Sequence, residues 1–500
     1  MEAVPAAPLE TPCTTHTTLR ALARQAFARA AGAPLSEGNH VELLKDAKQN
    51  YPAWLEAICS AKQYVDFENY IVCDDEVGRR FADALIAAAA RGVKVRLAYD
   101  WLGCVGRASR RFWRRLREGG VEVRCYNPPR WDSPVAWLSR NHRKTLSVDG
   151  EVGFVAGLCV GNSWMGNPAK KREPWRDTGV ELRGPAVQQI EDAFAMIWAS
   201  LGSAIPARTS SSRIDAAIAG GTALRVIASM PATAGLLRVN ELVASLAVRR
   251  LWLTDAYFVG STAYVQALIA AAKDGVDVRL LVPGGTDIPI LRGLSRAGYR
   301  PLLRAGVRVF EWNGTMIHAK SSVADTRWAR VGSTNLNVAS WFGNCELDVL
   351  VEDEAFAGLM EAAYLDDLTH ATELVLGRHG RASLRPSDAA ATNPAHQDGG
   401  GQVATGAARI GHAVGAALSA TRVLEPEDAS LTLSGAAGLT VFAVLFALFP
   451  RALAYPVAAV LAWVAAGLLH KGWALHRIHA RQLAEQRRDP PEPVMRDGDE

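Results

Sequence analysis

Ala84-Leu-Ile-Ala-Ala-Ala-Ala-Arg-Gly92-Val-Lys-Val-Arg-Leu97 and Ala267-Leu-Ile-Ala-Ala-Ala-Lys-Asp-Gly275-Val-Asp-Val-Arg-Leu280 are one phrase written twice. Each reads as a helix stopped at glycine and followed by a strand with β-branched residues at alternate positions. A strand precedes each phrase, at Gln63–Tyr70 and at Arg250–Tyr257. Beyond each, a second helix ends in Gly120-Val121 or Gly306-Val307, and another strand follows. The order β-α-β-α-β in each half predicts an α/β fold. It consists of two pseudo-symmetric half-domains, with mixed, largely parallel sheets flanked by helices.

A chemical motif follows the phrase in both halves. His142-Arg-Lys144 is trailed by Asp149 and Gly157. His318-Ala-Lys320, 176 positions later, is trailed by Asp325 and Gly332-Ser333-Thr-Asn335. In each copy the Asp stands five residues after the Lys. One His-x-Lys is noise, but the same spaced triad twice describes two equivalent half-sites. On a strand, residues two apart share a face, so His and Lys project together. Two imidazoles and two ammoniums converging on one spot suit a phosphate. The lysines neutralise its oxygens, one neutral imidazole attacks phosphorus, and the other protonates the leaving oxygen.

A carboxylate on the far ring nitrogen would hold each imidazole in the required tautomer. The candidates are Glu346 for the second half and Asp177, in Trp175-Arg-Asp-Thr178, for the first. Gly157, Gly332, Ser333 and Asn335 would set small groups and an amide donor against phosphate oxygens. Asp149 and Asp325 belong to the triads yet fall where a strand should turn, so a supporting role stands beside a catalytic one. No C-x-x-C pair or other metal-ligand cluster occurs, and neither metal nor cofactor is expected. The seven scattered cysteines read as reduced.

These residues resemble the phospholipase D superfamily and, within it, the bacterial cardiolipin synthases. The matching phrases are Tyr99-Asp100-Trp101, His142-Arg-Lys144, Trp175-Arg-Asp-Thr178, Tyr257-Phe258, His318-Ala-Lys320 and Gly332-Ser-Thr-Asn335. The likeness runs from about residue 38 to about 370. It implies a phosphatidyl-histidine intermediate and two displacements at phosphorus, with a second phosphatidylglycerol as acceptor. It weakly favours His142 as nucleophile. A hydrolase of the same superfamily, acting on phospholipid or nucleic acid, is the alternative, and a non-catalytic scaffold a third reading. Two departures stand out: Ala156-Gly157-Leu-Cys159 where the family has Gly-Gly-x-Asn, and Asn335-Leu-Asn337-Val-Ala339-Ser340 where it has Asn-Leu-Asp-x-Arg-Ser.

Five hundred residues suit two core domains with extras. A net charge of +4 falls short of a dedicated nucleic-acid binder. Leu433–Phe449 and Ala452–Leu469 are uncharged apolar runs of 17 and 18 residues, separated by Pro450-Arg451. They predict a transmembrane helical hairpin, with a buried helix pair as the alternative. Lys471, Arg477, Arg481, Arg487 and Arg488 follow it, which places the tail and the catalytic part on the cytoplasmic side of a bacterial inner membrane. No secretory signal is read at the N-terminus.

The expected organisation is a tail at 1–37, a first half at 38–205, a linker at 206–222 and a second half at 223–375. A flexible or interfacial linker at 376–428, the hairpin at 429–470 and a basic tail at 471–500 complete it. The expected partners are phosphatidylglycerol and an anionic membrane, not nucleic acid. Arg107–Arg117, with six arginines around Phe112-Trp113, is a candidate lipid-docking helix or a solvated basic face. Trp131 and Trp137 are candidates for the headgroup layer. Oligomeric state has no signal here.

Overall fold

The computed structural model describes residues 24–129, 139–167, 172–206, 218–285, 298–376 and 382–386, with isolated positions from 440 to 473. The helix Glu76–Ala90 is capped by the Asp75 carboxylate, which accepts from Gly78 N–H at 3.0 Å, and the chain turns at Gly92 with φ +91°. Its counterpart, Thr262–Lys273, is capped by the Ser261 hydroxyl, and the chain turns at Gly275 with φ +89°. Both glycines hold a left-handed conformation that a side chain would strain.

The strands of the first half are β1 (Ser36–Lys45), β2 (Tyr64–Asn69), β3 (Lys94–Asp100), β4 (Glu122–Tyr126), β5 (Lys144–Val148), β6 (Val152–Ala156) and β7 (Thr178–Arg183). Those of the second are β8 (Thr222–Ser229), β9 (Arg250–Thr254), β10 (Asp277–Pro283), β11 (Arg308–Trp312), β12 (Ser321–Ala324), β13 (Trp328–Gly332) and β14 (Glu346–Glu352), extended by β15 (Ala371–Leu376) and β16 (Ala382–Pro386). The first half runs β1-β7-β6-β5-β2-β3-β4 and the second β8-β14-β13-β12-β9-β10-β11, the same order twice. Antiparallel pairing of β1 with β8 joins them into one 16-stranded sheet. That pairing is compatible with a pseudo-twofold axis between the halves.

The expected half-domains are present, but the sheet is not largely parallel. Parallel pairing is confined to β2-β3-β4 and β9-β10-β11. These are the strands fed by helical crossovers, which parallel pairing requires. The other ladders are antiparallel. β5–β6 and β12–β13 are hairpins whose turns start at Asp149 and Asp325, both at φ +54°. The Asp149-Gly150 pair is a hairpin signal in its own right.

β6 and β7 contact β13 and β14 across the seam. Val155, Val180 and Leu182 share one core there with Val331, Leu347 and Val349. Flanking cores lie beneath the helices of each half. Phe27 and Ala31, from the expected N-terminal tail, are buried in the core of the second half. Arg143, the central residue of His142-Arg-Lys144, is a fully buried tie. It donates to the carbonyls of Ala193 at 2.8 Å, Ser229 at 3.0 Å and Glu346 at 3.2 Å.

Asn127–Leu138 and Arg422–Glu500 form a separate unit. Among the described residues no helix is long and apolar enough to cross a membrane. The expected hairpin at 429–470 lies outside the described residues except for single positions, and Trp131 and Trp137 lie wholly outside them.

Asp149 and Asp325 sit at the ends of β5 and β12 away from the histidines, beyond strands of five and four residues at about 3.3 Å per residue. Asp149 accepts backbone N–H bonds from Lys62, Gln63 and Tyr64 at 2.7, 2.8 and 2.7 Å. Asp325 does the same with Val248, Arg249 and Arg250 at 2.8, 2.7 and 2.9 Å. They fix the entry of β2 and β9 and do not reach the reacting centre, which corrects the catalytic reading. Asp149→Ala should therefore lower stability by about 3 kcal/mol, by stranding three backbone N–H donors, that of Tyr64 buried. The folded fraction should keep its specific activity. Thermal unfolding with turnover per folded molecule checks this, and an inactive but fully stable variant would refute it.

Candidate active site

His142 and His318 lie on extended segments just before β5 and β12 rather than inside the strands. Each segment pairs with the opposite half. His142 N–H donates to Cys345 O at 2.9 Å, and Cys345 N–H to Arg140 O at 2.8 Å. His318 N–H donates to Arg176 O at 2.7 Å, and Arg176 N–H to Met316 O at 2.9 Å. One residue beyond each bridge stands a carboxylate. The orienting pairs are therefore crossed relative to expectation. Glu346 Oε2 meets His142 Nδ1 at 2.9 Å, and Asp177 Oδ2 meets His318 Nδ1 at 2.8 Å. Each carboxylate meets the histidine of the other half and not that of its own, because bridging across the seam carries it there.

Both carboxylates are fully buried and further held. Glu346 Oε2 accepts from the Ser333 hydroxyl at 2.6 Å, and Oε1 from Asn344 Nδ2 at 3.2 Å. Asp177 accepts from Trp164 Nε1 and Thr178 N–H, each at 2.9 Å. Ser333 thus steadies the orienting carboxylate of His142 instead of facing phosphate, and its carbonyl lies 3.1 Å from His142 Nδ1. The glycines seat carboxylates too. A Cβ at Gly157 would lie 2.1 Å from Asp177 Oδ1, and one at Gly332 2.1 Å from Asp348 Oδ1. Asn335 remains available: it is buried, and its Oδ1 has no partner among the described residues. Asn337 binds Tyr257 O through Nδ2 at 3.0 Å and accepts from Ser340 N–H at 2.9 Å, while Ala339 is exposed. The departures in that segment therefore leave a capped turn.

With Nδ1–H committed to a carboxylate, each imidazole presents Nε2. Burial lowers the pKa of both, against the attraction of Glu346 and Asp177. His318 is brought down to about 4 by burial and then by Lys320. His142 also feels Lys320, and His318 also feels Lys144, which places the four groups in one field. Burial lowers Lys144, and brings Lys320 down to about 8. Each lysine Nζ donates to the carbonyl of its own motif histidine. Lys320 Nζ also lies 2.8 Å from His318 Nδ1. A protonated Nδ1 cannot accept there, so this contact acts as charge repulsion. Glu346 and Asp177 stay ionised: burial opposes their charge, but the histidine partners and neighbouring lysines outweigh it.

Aromatic rings wall the histidines. Tyr70 is 4.7 Å from the His142 ring, and Trp164, Trp175 and Tyr257 are 5.4, 5.6 and 5.9 Å from His318. Asp100, also buried, accepts from Asn141 N–H at 2.9 Å and Arg140 at 3.1 Å, which fixes the approach to His142. Tyr70 and Trp164 lie in none of the motif phrases quoted above, and what Asp100 and Arg143 do within theirs is set by contacts to distant backbone, so the sequence does not show their roles. Cys159 is fully buried, as a small core residue would be.

A family model described as "Cardiolipin synthase, PLD-like domain" matches residues 54–198 and 243–367. Cardiolipin synthase A of Pseudomonas aeruginosa is 36% identical over 354 residues, which cover 70% of this chain and 71% of that protein. The cardiolipin synthase of Alkalihalophilus pseudofirmus is 32% identical over 347 residues, 68% of each chain. The chain belongs to the cardiolipin synthase family of the phospholipase D superfamily. Each matched segment of this family member carries one histidine motif and one crossed carboxylate. Among solved structures, the phosphatidylserine synthase of Haemophilus influenzae aligns with a TM-score of 0.55 at 15% identity, over 70% of this chain and 91% of that one. That is a likeness of fold.

The titration of Lys320 sets an alkaline limit. A phosphate anion in this field would be met by the Lys320 charge, so binding of a phosphodiester should weaken as pH passes about 8. Lys320→Arg keeps its charge throughout, so its alkaline limb should disappear. An unchanged alkaline limb in that variant would remove Lys320 as its cause.

Proposed function

We propose that this chain transfers a phosphatidyl group between two phosphatidylglycerol molecules, making cardiolipin and releasing glycerol. The observation that carries the reading is the crossed pair of buried, carboxylate-tethered imidazoles with two lysines in the same field. Nε2 of one histidine attacks phosphorus. The glycerol oxygen leaves with a proton from the other imidazole, and a phosphatidyl-histidine forms. The second phosphatidylglycerol then gives its hydroxyl proton to that imidazole and attacks, and the first histidine is released. Lysine charge and imidazole protons fill every role, so the reaction as proposed is metal-independent. A bound phosphodiester anion offsets the lysine charges and raises the pKa of the acid histidine toward neutrality.

Two observations support a membrane as the place of work. Leu102 and Val105, just past Asp100, are exposed, as are Val259, two residues past Tyr257, and Val338 and Phe342, which follow Asn335. Each belongs to a segment that also contacts or precedes the site. Beside the first pair, Arg107, Arg110, Arg111 and Arg114 are exposed. Phe112 and Trp113 are core residues, Trp113 stacking on Tyr99 at 3.8 Å. The arginines are thus the lipid-facing part of that helix. The half-domain boundaries read above, the hairpin at 429–470 as anchor and a cytoplasmic-facing site on a bacterial inner membrane complete the proposal.

Purified protein in detergent, given labelled phosphatidylglycerol with EDTA present, should form cardiolipin and free glycerol. Phosphatidic acid as the sole product would replace the synthase reading with a hydrolase. His142→Ala and His318→Ala should each lower turnover by about 10²–10⁴-fold or more. A near-wild-type rate in either would end the two-histidine mechanism.

The rim has its own test. Leu102→Asp combined with Phe342→Asp should raise the half-saturating lipid concentration in mixed micelles by about tenfold or more, from lost apolar burial. Turnover of a monomeric short-chain phosphatidylglycerol should stay near wild type. Equal losses on both substrates would show that these residues do not dock lipid surfaces.

A further inference from the structure

The two half-sites differ at matched positions. Lys320 O accepts from Gly332 N–H at 3.2 Å, and Thr145 lies opposite Val155, which sets Lys144 across from Ala156. Counting three residues on from Gly332 and Ala156 gives Asn335 and Cys159. The first half-site therefore has a thiol where the second has a carboxamide. On the other flank of the lysines the difference recurs. Asn69 pairs with Lys144 in the β2–β5 ladder. Ser321 pairs with Thr254, which brings Asp255 to the corresponding place opposite Lys320. The first half-site holds Cys159 and Asn69 where the second holds Asn335 and Asp255.

The hydrogen bonds show what that exchange does. Asp255 is spent on the backbone, accepting from Tyr257 N–H at 2.9 Å and Leu336 N–H at 2.7 Å. Asn69 accepts from Ile71 N–H at 3.3 Å, which assigns the bonded atom as Oδ1 and the other as the amide nitrogen. The counterpart of Leu336 N–H is Val160 N–H, and it is already taken by Ile71 O at 3.0 Å. Asn69 Nδ2 is thus a fully buried donor with no partner among the described residues. Such a donor costs free energy unless something accepts from it. It stands next to Lys144, which is equally buried. Paired side chains of an antiparallel ladder lie about 5 Å apart at Cβ, on the same face of the sheet.

We infer that Asn69 is the amide donor of the first half-site, giving its Nδ2–H to a non-bridging oxygen of the bound phosphodiester and replacing the amide that Cys159 does not supply. This rests on the phosphatidyl-transfer reading for the identity of the substrate, but not for the anion it binds. The two half-sites then each offer one lysine and one carboxamide, from Lys144 with Asn69 and Lys320 with Asn335. The amides come from different strands.

The test is a rescue. Asn69→Ala should lower kcat for total phosphatidyl release, counting every product, by about 10²-fold, as loss of one donor to a developing oxyanion does. Its unfolding midpoint should fall only slightly, because Ile71 N–H loses its 3.3 Å acceptor. Adding Cys159→Asn to Asn69→Ala should restore at least tenfold of that loss, because the amide returns from the other flank. Asn69→Asp should be slower than Asn69→Ala, since a carboxylate faces the phosphate. An Asn69→Ala rate within twofold of wild type would overturn the inference. So would a loss accompanied by a much lower unfolding midpoint and no rescue, which would mark Asn69 as structural. If wild type turns over no phospholipid, the functional reading fails, and inorganic vanadate decides the inference alone. Its binding, read by tryptophan fluorescence, should weaken about tenfold in Asn69→Ala, and equal binding would refute the role.

Discussion

The crossed contact of each histidine with a carboxylate from the other half is the constraint on which the rest of the molecule depends. Neither half can complete an imidazole–carboxylate pair alone. His142 needs Glu346, and His318 needs Asp177. The backbone bridges of Asn141 with Cys345 and of Arg176 with Ile317 hold those partners in register. The large shared core of β6, β7, β13 and β14 is therefore part of the catalytic apparatus as well as of the fold. It makes a site whose opposite ends come from chain segments about as far apart as the halves themselves.

Burying so much charge is costly, and the arrangement meets the cost by saturation. A buried carboxylate is stable only if paired and hydrogen-bonded. Asp177 has His318, Trp164 and Thr178, while Glu346 has His142, Ser333 and Asn344. The glycines at 157 and 332 belong to the same economy, leaving room for carboxylate oxygens where a Cβ would collide. The lysines are left undercompensated. Burial lowers both, Lys144 lowers Lys320 further, and an arriving phosphate anion supplies the missing negative charge. The unpaired Nδ2–H of Asn69 fits the same description of a site complete only with its anion.

Much was legible locally. The helix–glycine–strand phrase is read from residue type and periodicity, and Gly92 and Gly275 turn the chain as their positions demand. The two motifs, their lysines and the two candidate carboxylates stand out in the sequence because residue chemistry narrows the choices for phosphoryl transfer, and the fold brings histidine and carboxylate together. The antiparallel majority of the sheet was harder. Asp149-Gly150 signalled a hairpin, but the repeated crossovers pointed to parallel pairing and applied only to β2-β3-β4 and β9-β10-β11. Ser333 and Gly157 invite a phosphate reading as small residues near a lysine, whereas their neighbours are carboxylates at or just before the start of the adjoining strand.

By itself, then, the sequence determined the two half-domains, the chemistry of their motifs and the list of groups able to serve it. These follow from local propensity and from side-chain type, both carried by each residue wherever it ends up. Tertiary structure alone decided which carboxylate meets which histidine, that Asp149 and Asp325 tie strands instead of reaching phosphorus, and that Asn69 lies beside Lys144. Those facts depend on register between strands and on the pseudo-twofold seam. A one-residue shift in either would change every partner while leaving the sequence the same.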